Sequence, residues 1–254
     1  MPRKRGHHTT SSAKAAPPWK QYQERVAQLF RELGCDVATD LVVEGVRGKD
    51  AIDVSIRFVR FGLRQHWIVE CKLWGRPVPK EKVRALKSIV DNIGADRGLL
   101  IAEAGHQSGA FAAARSTNIT LISLADLRES AKAELLSLGL SEVRRRATVM
   151  KNYLFSLYNR ESYGPYGGTW KLKPGVDGSD VIRLGGAASM IDMSAEQAQL
   201  GKFPVVVMFP PDGEEVVRAK DLEEFLVAAT TVLDSRDSGV REVAAGFEAG
   251  EGGR

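Results

Sequence analysis

The sequence contains few cysteines and no long hydrophobic run. Cys35 and Cys71 are its only cysteines, and neither belongs to a closely spaced set of ligands. A disulfide-stabilised scaffold and a cysteine-based zinc site are therefore excluded. No apolar stretch approaches the ~18 to 20 residues that a membrane-spanning helix needs, and the N-terminus lacks the apolar stretch of a secretory signal. We predict a cytoplasmic protein without membrane contact.

Excess positive charge is confined to the start of the chain. The net charge is +4, yet residues 1–20 contain five basic side chains and no acidic one, so the rest of the chain is nearly neutral. We predict that residues 1–18 form a disordered basic arm. Its Arg3, Lys4 and Arg5 are candidates for salt-sensitive contacts to nucleic-acid phosphates, although solubilising tails have the same composition.

Alternating helical and strand-like patterns indicate an α/β domain over residues 19–140. A helix is predicted from Trp19 to Gly34, because apolar residues recur there every three to four positions. Strand-like segments follow at 36–43, 51–59 and 65–74, separated by short glycine-containing links. The pattern then continues with a helix at 79–94, a strand at 97–103, a helix at 107–116, a strand at 118–124 and a helix from Ala125 toward Leu138. The core order is αβββαβ around a central mixed sheet.

The second half of the chain has a different character. A helix with a basic start is predicted over 141–161, followed by a Gly/Pro-rich linker over 162–180. Beyond it we predict a small α/β unit, with strands near 180–184 and 204–209 and a helix near 219–233. Residues 141–233 are thus expected to form an accessory region, and residues 234–254, rich in Gly, Ala and acids, a disordered tail.

The most informative segment is WIVECKLW, because charged side chains are disfavoured in an apolar strand unless they are paired or bind a metal. Glu70 and Lys72 are two residues apart, which places both on one face of a strand. The preceding strand carries Asp53 between apolar neighbours in the same alternating pattern. Glu70-Cys71-Lys72 is the only acid-x-Lys triplet in the sequence. Two adjacent strands are therefore predicted to project carboxylates from one side.

This arrangement matches the requirements of phosphodiester hydrolysis. Two neighbouring carboxylates supply the hard oxygen ligands that Mg²⁺ prefers, and the ion polarises the phosphate and offsets charge on the leaving oxygen. A nearby ammonium, here that of Lys72, can position the attacking water and stabilise transition-state charge. The alternative is a surface-facing strand with an ordinary cross-strand ion pair.

Residues 19 to about 127 resemble the Mrr-like restriction endonuclease family of the PD-(D/E)xK superfamily. The resemblance rests on the opening helix YQERVAQLFRELGCDV, the Ile-Asp pair at 52 and 53, the strand VECK at 69–72, and the later segment GHQSGAFAAARSTNITLISLADL. It implies a restriction-endonuclease-like fold that acts on DNA with Mg²⁺, or Mn²⁺ as a substitute. Asp53, Glu70 and the Cys71 backbone carbonyl would hold the metal, Lys72 would be catalytic, and Glu24 would assist from the first helix.

The approach to Asp53 departs from that family. Mrr-like members usually have a glycine-rich, acid-containing segment there, whereas this sequence has GKDAID. Asp50 is therefore an alternative ligand, although Asp53 is preferred because it shares the family's Ile-Asp pair and lies within the β pattern. Lys49 in the same segment is a candidate contact to nucleic acid. The winged helix that often reads DNA in Mrr proteins has no counterpart before the first helix, so target recognition is expected elsewhere.

Outside the nuclease-like region, Arg144 and Arg145 are candidates for phosphate contacts, although a solvated helix face explains them as well. The apolar positions Val143, Val149, Leu154 and Leu157 of the same helix are a candidate contact for a homodimer. The C-terminal region could also bind a protein partner. These patterns predict a Mg²⁺-dependent DNA endonuclease acting in restriction or defence. The alternative is a non-catalytic nucleic-acid-binding or protein-interaction subunit of a larger defence or repair complex.

Overall fold

The computed structural model describes residues 16–162, 168–208 and 216–251. The described residues divide into two compact units, and the division lies between Lys132 and Ala133. The division falls a few residues before the predicted end of the nuclease domain at residue 140. Arg3, Lys4 and Arg5 lie outside the described residues, so their contact with nucleic acid stays a prediction.

The first unit is built around a five-stranded mixed sheet. Its elements are α1 (Pro18–Glu32), β1 (Asp36–Gly45), β2 (Gly48–Arg60), β3 (Leu63–Lys72), α2 (Lys80–Ile93), β4 (Arg97–Ala102), α3 (Ser108–Ala114), β5 (Ile119–Ile122) and α4 (Leu124–Ser130). The strand order is β1-β2-β3-β4-β5, with antiparallel pairing from β1 to β3 and parallel pairing from β3 to β5. The predicted αβββαβ order and central mixed sheet are confirmed.

Two hydrophobic clusters hold helices against this sheet. One contains Tyr22, Val26 and Phe30 of α1 with Val54 and Val69 of the sheet. The other contains side chains of α2, among them Val83, Leu86 and Val90, with Ile68 and Leu100. Full burial of a large aliphatic side chain stabilises a fold by about 1.5 to 3 kcal/mol. Together the clusters fix the strands that carry Asp53, Glu70 and Lys72.

The described residues of the second unit form three long helices and two short antiparallel strand pairs. Its elements are α5 (Lys132–Ser156), β6 (Tyr158–Ser162), β7 (Gly168–Leu172), α6 (Gly178–Gln199), β8 (Val205–Met208), β9 (Val217–Ala219) and α7 (Leu222–Glu251). Strands β6 and β7 pair with each other, as do β8 and β9. The described parts of the second unit thus combine helices and strands.

Several boundaries in the second unit differ from the sequence prediction. The strand predicted near 180–184 is wrong, because these residues lie inside α6, whose Asp177 cap accepts a hydrogen bond of 2.8 Å from the Ser179 N–H. Val181, Leu184, Ala188 and Ile191 are buried at helical spacing, a period that a short window conceals. The helix predicted to reach residue 161 ends at Ser156, and the predicted linker contains β7.

The chain end and the candidate dimer face also differ from expectation. A disordered tail was predicted from residue 234, but α7 continues to Glu251, and Val240 and Val243 pack against the core of the second unit. Val143, Leu154 and Leu157 are buried in that same core, so they are unavailable as a dimer contact. Only Val149 of the predicted contact is exposed. Across the described ranges, no helix is long and apolar enough to cross a membrane.

Candidate active site

A hydrogen bond between side chain and backbone joins the two strands that carry the predicted site. The last regular pair of β2 and β3 on this side is Val54 with Val69. One step beyond it, Oδ2 of Asp53 accepts a hydrogen bond of 2.8 Å from the Cys71 backbone N–H. This contact holds the Asp53 carboxylate against the Glu70-Cys71-Lys72 triplet after regular pairing has ended.

Glu70 and Lys72 form an ion pair with each other. Nζ of Lys72 donates to Oε1 of Glu70, and the two side chains are only 15% and 23% exposed, respectively. Their spacing of two residues puts both on one face of β3, as predicted. The partial burial strengthens this attraction relative to an exposed pair. The structure therefore brings together Asp53, Glu70 and Lys72.

Three acids follow one another across the first three strands. Asp40 lies between Thr39 and Leu41 of β1, whose partners on β2 are the two neighbours of Asp53. Glu70 follows on β3. Lys20 pairs with Asp40 at 2.9 Å, and Lys72 pairs with Glu70. Asp53, in the middle, has the Cys71 N–H as its hydrogen-bond donor. Of these three acids, Asp53 is thus the one that forms no ion pair with a lysine among the described residues.

Burial and neighbouring charges raise the pKa values of two side chains at this site, Asp53 and Cys71. Burial raises the pKa of Asp53, and the nearby Glu70 raises it further, whereas the Cys71 N–H and the Lys72 ammonium oppose the shift. Burial also raises the pKa of the Cys71 thiol, with further increases from Asp53 and Glu70. Cys71 therefore stays protonated at neutral pH, and a thiolate nucleophile is not available here.

A cavity of about 240 Å³ adjoins these residues. Its lining comes from the first helix and from the ends of two strands: Trp19, Tyr22, Gln23, Asp53, Cys71, Lys72, Leu73 and Trp74. Glu70 is not in this lining but is paired to Lys72, which is. The cavity gives a reacting group access to the Asp53 carboxylate and the Lys72 ammonium.

The first helix presents Gln23, not Glu24, to the cavity. Glu24 is exposed and forms an ion pair of 2.5 Å with Arg31, so the structure does not bring it to the predicted site. Gln23 is 3% exposed, and its Oε1 has no hydrogen-bond partner among the described residues. The sequence could have indicated this role for Gln23. Helical spacing places Gln23 on the same buried face as Ala27 and Phe30.

The hydroxyl of Tyr22 is the donor in a contact between α1 and the end of β4. It donates a hydrogen bond of 2.8 Å to Oε1 of Glu103, which also accepts one of 2.9 Å from the Leu124 N–H. Burial and the Glu103 carboxylate raise the pKa of Tyr22. This neutral phenol anchors the helix segment that carries Gln23.

Trp74 gathers three cations beside the cavity. The centroid of the Trp74 ring lies 5.9 Å from Nζ of Lys72, 5.9 Å from Cζ of Arg76 and 5.8 Å from Nζ of Lys82. Arg76 and Lys82 are exposed, and neither pairs with a carboxylate within the part of the chain that the structure describes. Uncompensated cations next to a candidate phosphate site are available to an anionic substrate.

The remaining candidates lie in other surroundings. Asp50 accepts a hydrogen bond of 2.6 Å from the Asn92 side chain of α2, and Lys49 is exposed near the start of β2. In the second unit, Arg145 pairs with Glu142 at 2.7 Å, and Arg144 donates to Gln199 at 2.9 Å. Asp50 is thus engaged with α2, and both arginines already have local partners. Their contact with nucleic acid stays a prediction.

The atoms near Asp53 that are candidates for binding a metal ion are oxygen atoms. Among the described residues, no group of three or more His, Cys, Asp or Glu side chains is arranged to hold a metal ion. Gln23, Asp53 and Cys71 line the same cavity, and Glu70 is paired with Lys72 beside it. The candidate donors are thus the two carboxylates, the Gln23 amide oxygen and the Cys71 carbonyl implied by the family resemblance. This set fits Mg²⁺, which is bound through one or two carboxylates and keeps several waters.

Comparison with known proteins finds a family that is similar to the first unit. Residues 15–131 match the restriction endonuclease family Mrr_cat. This match covers every element from α1 to α4, including both strands of the candidate site. No curated protein matches the sequence.

Three solved structures are similar to parts of the chain. The protein of unknown function AF1548 is 16% identical, with a TM-score of 0.38, over 72% of this chain and 98% of that one. The DNA modification-dependent restriction endonuclease AspBHI is 16% identical, with a TM-score of 0.30, over 53% of this chain and 42% of that one. The MspJI restriction endonuclease in complex with a 27-mer oligonucleotide is 15% identical, with a TM-score of 0.28, over 46% of this chain and 27% of that one.

The family match and the observed topology agree. The αβββαβ order, the mixed sheet and the acids on β2 and β3 all fall within the matched residues. The match covers a little under half of the chain. Residues 15–131 of this chain are therefore similar to the restriction endonuclease family Mrr_cat.

Proposed function

We propose that the protein is a Mg²⁺-dependent endonuclease that hydrolyses DNA phosphodiester bonds at Asp53, Glu70 and Lys72. The observation that carries the proposal is the hydrogen bond of 2.8 Å from the Cys71 N–H to Asp53, which holds one carboxylate beside the Glu70–Lys72 pair. An ordinary surface ion pair would not require a second, partly buried acid at the same point. The family match supplies the reaction class.

The metal would be held by oxygen donors from two strands and the first helix. Asp53 and Glu70 supply charge, and the Cys71 carbonyl and the Gln23 amide supply neutral oxygens. When bound, Mg²⁺, or Mn²⁺ in its place, polarises the phosphate and offsets charge on the leaving oxygen. The raised pKa of Asp53 reflects burial and the neighbouring Glu70, a cost that a divalent cation would offset.

Lys72 has two roles in this proposal. Its ammonium neutralises Glu70 before the substrate arrives, which limits repulsion between the carboxylates. With DNA bound, the same ammonium would donate hydrogen bonds to the attacking water or to a non-bridging phosphate oxygen, where negative charge increases in the transition state. Because Lys72 lines the cavity, it can reach a phosphate placed there.

Substrate binding would use the cations around Trp74. Arg76 and Lys82 are exposed and uncompensated, so phosphates on either side of the scissile bond could replace the water around them. These contacts would position the strand without reading its sequence. A role in restriction or defence belongs to the same proposal and rests on the family alone. The family match ends before the second unit, so a protein partner for that unit stays a prediction from the sequence.

The test is cleavage of supercoiled plasmid DNA by the purified full-length chain. We expect nicked or linear products with Mg²⁺ or Mn²⁺ and none with EDTA. A parallel reaction with structured RNA determines whether the substrate class is DNA. If the plasmid stays intact with both metals, on modified and unmodified DNA, the proposed hydrolysis is wrong.

A further inference from the structure

The hairpin of β2 and β3 extends beyond its neighbouring strands. Pairing of β1 with β2 ends at Asp36 and Arg57, and pairing of β4 with β3 begins at Arg97 and Trp67. The three outermost hairpin pairs, Phe58–Gln65, Val59–Arg64 and Arg60–Leu63, therefore have no third strand beside them. We call residues 57–65 the ribbon, which comprises these three pairs, their turn, and Arg57 at the base opposite Asp36 of β1.

The ribbon exposes apolar side chains at its tip. Phe61 is 92% exposed, and Val59 and Leu63 are 66% and 65% exposed. Phe61 has a φ of +53° and is followed by Gly62 at +77°, a turn that Asn and Gly adopt more readily than an aromatic residue. Neither burial nor turn geometry explains a phenylalanine at this position. An exposed aromatic in a strained turn is typical of a binding role.

The charge of the ribbon identifies the chemistry of a partner. Residues 54–69 contain Arg57, Arg60 and Arg64 and no acidic residue. Arg57 and Arg64 are exposed, and no carboxylate pairs with either of them within the described ranges. The guanidinium of Arg60 lies 5.3 Å from the centroid of the Phe61 ring. The arginines complement the phosphates of a nucleic acid, and the apolar tip complements its stacked bases.

The ribbon tip is far enough from the candidate active site for both to contact the same DNA duplex at separate points. The same two strands carry Asp53 and Glu70, and Leu63 is seven residues before Glu70. Seven residues of strand span roughly 23 Å at about 3.3 Å per residue. This length corresponds to about seven base-pair steps of roughly 3.4 Å each. A two-stranded ribbon fits a DNA groove, and an apolar side chain at its tip can wedge between base steps.

We propose that the ribbon is a second DNA-binding element, which enters a groove several base pairs from the scissile phosphate. Arg57 and Arg64 bind phosphates at the groove edges, and Phe61 contacts base or sugar surface inside it. The inference rests on the proposed nuclease function and extends it to the way in which the duplex is held. It requires double-stranded DNA that is longer than the cleaved site.

The experiment measures binding of the full-length protein to a 30-base-pair duplex in EDTA by fluorescence anisotropy, over a series of salt concentrations. The variants are Phe61→Ser and the double variant Arg57→Gln/Arg64→Gln. Val46→Ser is the matched control, because Val46 is a 93% exposed apolar residue in the turn between β1 and β2. All substituted side chains are exposed, and thermal unfolding checks that each variant folds.

We expect the double variant to bind at least tenfold more weakly and to lower the slope of log K against log salt by about 2, since each phosphate contact contributes roughly 0.9. Phe61→Ser should weaken binding about threefold to tenfold with an unchanged slope, and Val46→Ser should bind like the wild type. Wild-type slope and affinity in the double variant would overturn the inference. A changed molecular mass of Phe61→Ser in light scattering, with unchanged DNA binding, would assign the ribbon to contacts between copies instead.

Plasmid cleavage with Mg²⁺ separates this inference from the proposed function. A wild-type protein that cleaves DNA while the ribbon variants bind normally would refute only the ribbon. A wild-type protein that neither cleaves nor binds DNA would refute both.

Discussion

The Asp53 carboxylate accepts its 2.8 Å hydrogen bond from the Cys71 backbone, the residue between Glu70 and Lys72. The contact lies one step beyond the last pair of β2 and β3 and takes the place of a ladder bond there. It therefore links the position of one acid to the backbone that carries the other two polar groups. The proposed chemistry depends on this link.

Asp53→Asn should stabilise the metal-free fold at neutral pH. Burial raises the pKa of Asp53, so the folded chain binds this proton more tightly than the unfolded chain. The ionised carboxylate therefore costs stability above its folded-state pKa, and this cost vanishes below the unfolded value of 3.8. Asparagine still accepts the Cys71 N–H bond. Thermal unfolding in EDTA should show a higher Tm for the variant at pH 7 and convergence with the wild type near pH 3.5. A less stable variant at pH 7 would contradict the burial argument.

Lys72→Met should slow cleavage by about 100-fold or more while leaving metal binding in place, since charge stabilisation at the reacting group contributes roughly that much. Metal binding should survive because the oxygen donors are unchanged. Calorimetric titration with Mg²⁺ or Mn²⁺ is the readout that separates the two roles. If the variant no longer binds the ion, Lys72 is a structural partner of the carboxylates. Lys72→Arg is the charge-preserving control.

Gln23→Ala and Glu24→Ala should differ sharply. Gln23 faces the cavity with an unpartnered amide oxygen, whereas Glu24 is exposed and paired with Arg31. We expect Gln23→Ala to lower cleavage by about tenfold, the scale on which supporting groups at metal sites act. Glu24→Ala should stay within about twofold of the wild type. Initial rates over a range of Mg²⁺ concentrations provide the comparison, and the reverse order would restore the prediction from the sequence.

Arg76→Gln and Lys82→Gln should weaken DNA binding and reduce its salt dependence by about 0.9 in slope each, because each removes one phosphate contact. The matched control is Lys87→Gln on the same helix as Lys82, since Lys87 already pairs with Asp91 at 2.7 Å. Anisotropy titrations at several salt concentrations measure both quantities. If Arg76→Gln and Lys82→Gln keep the wild-type slope, as the control should, the cations around Trp74 do not contact the substrate.

The first unit could be predicted well because its signals are local and periodic. The alternation around Glu70 and Lys72 placed both on one strand face, and the buried stripe of α1 fixed its helix. The position of Gln23 was missed because the acid next to it resembled the family's helix acid. The helical period did contain the signal, because Gln23 shares the buried face of α1 with Ala27 and Phe30 whereas Glu24 does not.

The second unit was harder because its signals are weak at short range. The segment near Val181 is apolar and β-branched enough to suggest a strand, but burial at helical spacing over α6 decides its structure. The end of α7 has the composition of a tail, yet Val240 and Val243 pack against a core formed by distant residues. Such long-range packing overrides local propensity.

The most direct measurement of the central claim compares plasmid cleavage by the wild type, Asp53→Asn and Glu70→Gln under identical conditions with Mg²⁺. Both substitutions preserve side-chain size, and circular dichroism verifies that the variants are folded. We predict cleavage by the wild type and its loss in EDTA, and a rate at least 100-fold lower in each variant, on the order expected for removing a charged group from a reacting centre. Cleavage by either variant at the wild-type rate would show that the reacting centre lies elsewhere in the chain.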